Sequence, residues 1–69
     1  MEYIWAVSED VHGIVSYWDS KEKGLEEAKK ICEKEYREPF EITEEDESYV
    51  EIIDGLVNIT RIKLNKSWV

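Results

Sequence analysis

Residues 38–55 read EPFEITEEDESYVEIIDG, and the fold turns on where this stretch stops being a connection and becomes a strand. Tyr49 to Ile53 reads as a strand. It runs into Asp54-Gly55, a dipeptide suited to the left-handed conformations of a tight hairpin turn. Before Tyr49 the chain is dominated by acids, and residues 41–48 read as an acidic connection. From Glu38 to Asp54 there are eight carboxylates and no Lys or Arg.

Beyond the turn, Leu56 to Leu64 reads as a further strand, with Asn58, Thr60, Ile62 and Leu64 opposed to Val57, Ile59, Arg61 and Lys63. Upstream, DSKEKGLEEAKKICEKEYREP (19–39) carries the helical repeat. Leu25, Ala28, Ile31, Cys32 and Tyr36 share one face, Asp19 with Glu22 suits an N-terminal capping box, and Pro39 stops the helix. Two strands come first. Tyr3 to Ser8 has Tyr3, Trp5 and Val7 on one face, and Gly13 to Trp18 returns through a turn at His12-Gly13.

The expected fold is therefore α+β: a ββαββ chain forming a four-stranded antiparallel sheet with one helix packed on one face. Sixty-nine residues make a single domain, residues 1–69. One helix covers only one sheet face, yet the first two strands carry large apolar residues on both. A homodimer or another protein would bury the second face; the long fourth strand, or the tail with Trp68, folding over it is the alternative.

A single cysteine excludes an internal disulfide. No apolar run is long enough to span a bilayer, and the first residues lack a basic leader segment. The expectation is a cytoplasmic protein without membrane association, in the host cell cytoplasm if phage-encoded. Asn58-Ile59-Thr60 and Asn65-Lys66-Ser67 match the glycosylation sequon, read as chance matches in that setting. The net charge of −8 opposes direct binding to nucleic acid and favours a partner with a cationic surface.

Catalytic and cofactor chemistry find little support. His12 is the only histidine and reads as a turn residue without metal partners. Cys32 lies on the apolar helix face with no base beside it. No phosphate-binding glycine loop or calcium-loop pattern occurs. The chain is expected to be no enzyme, with no catalytic, cofactor or metal residues and no cofactor.

The acids remain. In extended chain, residues two apart point to one side at about 6.6 Å, close to the separation of neighbouring phosphates on a nucleic-acid strand. Glu41, Glu45, Glu47 and Glu51 are expected to form such a row, with Glu44 and Asp46 adding charge. Small size, acidity, many aromatics and a ββαββ pattern together resemble phage-encoded protein inhibitors that mimic DNA. Glu47-Ser48 leading into Tyr49 to Ile53 is similar to the Glu-Ser strand of uracil-DNA glycosylase inhibitors, although members of that family begin with a helix.

The resemblance implies a non-enzymatic inhibitor that occupies the DNA groove of a host DNA-acting enzyme. Glu47 and Ser48 would be groove contacts, Glu51 a phosphate surrogate, and an apolar pocket would receive a side chain of the enzyme. Val50, Ile52, Ile59 and Ile62 are the candidates for that pocket. Two other functions fit the same composition: a phage anti-defence inhibitor of another complex, such as a CRISPR effector, and a dimerising structural or adaptor domain.

Overall fold

The computed structural model describes residues 3–64; Trp68 and the Asn65 sequon lie outside them. Five strands and one helix follow in the order β1 (Tyr3–Glu9), β2 (Gly13–Trp18), α1 (Lys21–Ile31), β3 (Ile42–Asp46), β4 (Tyr49–Ile52) and β5 (Val57–Lys63). The sheet order is β2-β1-β5-β4-β3, and every neighbouring pair is antiparallel. The α+β class holds, but the sheet has five strands where four were expected. The additional strand is β3, formed by the acid-rich residues read above as a connection.

Register follows from the apolar alternation. Val7 lies opposite Ile59, which lies opposite Val50, so the three side chains share one face. With Ile52 and Val57 they are fully buried under the helix. The central position of β5 is sensible, since its Val57 and Ile59 are the apolar pair that needs neighbours on both sides. The other face carries Ile4, Ala6, Asn58, Thr60 and Ile62, and no element among the described residues packs on it. On β2 a bulge at Val15 interrupts the simple two-residue alternation, so Ile14, paired with Ser8, shares this open face with Tyr17, paired with Ala6.

The Asp54-Gly55 turn is present but longer than two residues. Ile53, Asp54 and Gly55 all have positive φ (49°, 53° and 96°), and Ile52 pairs with Val57 across a four-residue loop. Asn58 Nδ2 donates to the Gly55 carbonyl at 2.9 Å and closes it.

The helix buries Gly24, Ala28 and Ile31 against the sheet, continues through a π-helical turn at Cys32–Tyr36, and ends where Arg37 turns left-handed at φ 54°. Termination therefore precedes Pro39. Its N-cap is Ser20, whose hydroxyl accepts from Lys23 N–H at 3.3 Å. Asp19 instead pairs with the Lys23 ammonium at 3.0 Å. Among the described residues no helix is long and apolar enough to cross a membrane.

Gly24 packs against the sheet, yet a Cβ there would sit 3.5 Å from Ile59 Cγ2 and 3.6 Å from Val7 Cγ2, ordinary contact distances. Gly24→Ala should therefore stabilise the fold by about 0.5–1 kcal/mol through helix propensity, seen as a higher urea midpoint. A lower midpoint would mean that the helix has no room for a methyl group.

Candidate functional site: an acidic edge hairpin

Strand β3 is a sheet edge with all five residues exposed. Lacking an apolar stripe, it is held by its partner. Glu45 pairs with Val50 and Asp46 with Tyr49, and Ile53 N–H donates to the Glu41 carbonyl at 2.9 Å. Glu47-Ser48 forms the two-residue turn between β3 and β4, where the Asp46 carboxylate accepts from the Ser48 N–H at 2.8 Å. This local side-chain bond substitutes for the glycine that such turns usually use.

Parity then decides which acids act together. Glu44 lies directly opposite Glu51, and Asp46 opposite Tyr49, so Glu44, Asp46 and Glu51 share the open face of the sheet. Glu45 points to the helix face, where Lys21 Nζ donates to its Oε2 at 2.7 Å. The expected row of Glu41, Glu45, Glu47 and Glu51 is thus not formed. Glu41 precedes the strand, Glu47 sits in the turn, and an irregularity between Ile42 and Glu44 shifts the register.

Glu51 is held in place. Thr43 Oγ1 lies 3.2 Å from its Oε2. On the other side, the Tyr49 hydroxyl lies 3.4 Å from its Oε1 and donates to Asn58 Oδ1 at 2.9 Å. Burial, with the Glu51 charge second, raises the Tyr49 hydroxyl above its ordinary range and keeps it a neutral donor. Glu51 is thus half-buried and oriented, while Glu44 and Asp46 are exposed beside it, Asp46 held by its bond to the Ser48 N–H.

The chain matches no family model, no curated protein and no solved structure.

The apolar candidates divide sharply. Val50, Ile52 and Ile59 have no accessible surface. They form the core under the helix and cannot line a surface pocket, because their faces were set by the pairing of β4 with β5. Ile62 alone of the four reaches the open face, at 38% exposure. There it shares the surface with Ile14 and Tyr17, 52% and 56% exposed. The open face therefore has an apolar half on β2-β1-β5 and an acidic half on β4-β3.

Cys32 is wholly buried, and desolvation pushes its thiol above the ordinary range, so it is not poised as a nucleophile. His12 does lie in the β1–β2 turn, but it has company that sequence spacing did not reveal. Its Nδ1 meets Glu9 Oε1, and Glu35, from the π-helical turn, brings a carboxylate oxygen into the same group. Glu9 and His12 stand three residues apart across a hairpin turn, which is a local signal. Glu35 is remote in sequence and gave none.

Proposed function

We propose that the protein is a non-enzymatic inhibitor that mimics DNA through the β3–β4 hairpin and occupies the cationic nucleic-acid groove of a DNA-acting enzyme. The observation that carries this reading is that the acid-rich run forms an edge strand whose five residues are all exposed. Glu44 and Asp46 are two apart on one side of the strand, and the strand rise sets their backbone positions about 6.8 Å apart, a spacing comparable to consecutive phosphates. Glu51 extends the charge onto the neighbouring strand. A groove's Lys and Arg respond to charge and placement without reading sequence, so such a surface suffices.

The apolar half of the same face supports a second contact. Ile14, Tyr17 and Ile62 would receive an apolar side chain of the enzyme, slowing dissociation, while the acids speed and orient association. Glu47-Ser48 is a turn here and not part of the strand, but its sequence resemblance, leading into Tyr49 to Ile53, makes uracil-DNA glycosylase the first target to test. A phage anti-defence target would use the same surface.

Titrating the protein into a glycosylase assay on uracil-containing duplex should abolish excision near one equivalent, with association slowing as salt rises. The parallel measurement is capture from bacterial lysate followed by elution with duplex DNA. If the glycosylase keeps full activity and DNA elutes no retained protein, the reading fails. Self-association in sedimentation without any captured groove protein would favour a dimerising adaptor.

A further inference from the structure

We infer that Glu9, His12 and Glu35 form a binding site for a divalent first-row transition ion, with Zn²⁺ the best fit. The three offer a carboxylate oxygen, imidazole Nδ1 and a second carboxylate oxygen, all within 4.8 Å of one another. Tetrahedral zinc with bonds of 2.0–2.2 Å needs ligand separations of about 3.4 Å. His12 and Glu35 are both exposed, and side-chain rotation would open the close His12–Glu9 contact and bring the Glu35 oxygen to that separation.

The second argument is the state of Glu9. Its side chain is 98% buried, since only 2% is accessible, and a carboxylate is expensive to bury without a compensating charge. Among the described residues no Lys or Arg pairs with it, and its side-chain hydrogen bond is to His12. Further negative charge surrounds the spot. Asp10 follows Glu9 in the chain, and Glu35 brings a second carboxylate oxygen into the group. A cation held by Glu9 and His12 would supply positive charge beside the buried carboxylate and offset that field.

Ligand chemistry narrows the ion. Calcium and magnesium require six or more oxygen ligands or near-octahedral hydration, whereas imidazole with carboxylates suits zinc and its neighbours. Three protein ligands leave one tetrahedral position for water. The bound ion would clip the β1–β2 turn to the end of the helix, a staple of the kind small domains use for stability.

Calorimetric titration of the full chain with Zn²⁺ should show one site per chain, and a hundredfold excess of ion over Kd should raise Tm by on the order of 10 °C. His12→Ala and Glu35→Gln, both at exposed positions, should each weaken binding by at least about tenfold without changing the circular dichroism spectrum. The pair Glu44→Gln and Asp46→Asn, on the other side of the sheet, should leave binding intact. Co²⁺ should give a spectrum of nitrogen and oxygen ligation. Absence of binding, unchanged affinity in His12→Ala, loss in the Glu44/Asp46 variant, or a thiolate charge-transfer band from Cys32 would each overturn the site.

Discussion

Ile59→Ala should lower the free energy of unfolding by about 3–4 kcal/mol, within the usual range for truncating a buried aliphatic side chain. Ile59 has no accessible surface. It is flanked by Val7 on one side and Val50 on the other, and its Cγ2 and Cδ1 lie 3.5 and 3.8 Å from where a Gly24 Cβ would sit. It is the knob between the central strand and the helix. A domain of this size has a total stability of only about 3–10 kcal/mol, so the variant should lose on the order of 15 °C in Tm.

The geometry also specifies a rescue. The vacated space opens toward Gly24, and Gly24→Val returns as many carbon atoms from the helix side as Ile59→Ala removes. In the Ile59→Ala background Gly24→Val should recover at least half of the loss, whereas alone it should overpack the interface. Urea unfolding of the four proteins closes the double-mutant cycle. Additive effects would mean that the two positions do not share a space.

These residues also show what the sequence makes legible. Alternation in β1 and β5 and the helical repeat of Ala28, Ile31 and Cys32 are driven by burial, and burial writes itself into residue type. The Asp54-Gly55 turn was equally visible, because positive φ selects those residues. Strand β3 was not legible. It buries nothing, is rich in a residue type depleted from strands, and turns into β4 without Gly or Asn. Its conformation comes from the hydrogen-bonding edge offered by β4 and from the Asp46–Ser48 bond, neither of which alters hydropathy.

The same cause limited the site. That the acids form the exposed feature could be read from charge alone. Which of them share a face depends on parity, and a turn at Glu47-Ser48 with an irregularity near Thr43 exchanges Glu45 for Glu44 and Asp46. Val50, Ile52 and Ile59 were recognisably apolar, but nothing local says which side of a sheet a helix will cover. The meeting of Glu35 with Glu9 and His12 is a product of the tertiary fold and has no local trace at all.

Glu44→Gln, Asp46→Asn and Glu51→Gln together should weaken inhibition of a groove-bearing target by ~100-fold while making the free protein more stable. Glu44 directly faces Glu51 across the ladder, and opposed like charges destabilise a strand pair by about 0.2–1 kcal/mol. Removing them relieves that repulsion and preserves side-chain shape. The same charges, set against Lys and Arg in a groove, contribute most to encounter rate and orientation, so the fall should be largest at low ionic strength.

The decisive comparison keeps net charge equal and moves the substitutions. Glu22→Gln, Glu26→Gln and Glu33→Gln neutralise the same number of acids, all exposed on the helix and its π-helical extension, away from the open face. If placement matters, this helix variant should inhibit within about threefold of the parent, and the hairpin variant should not. Equal losses in both would reduce the acids to a general field around the molecule. Parental inhibition by the hairpin variant, with its added stability confirmed by urea unfolding, would remove DNA mimicry as the reason for this strand. The opposed Glu44–Glu51 pair makes that separation of stability from inhibition possible, because it is costly to the fold and advantageous only to a cationic partner.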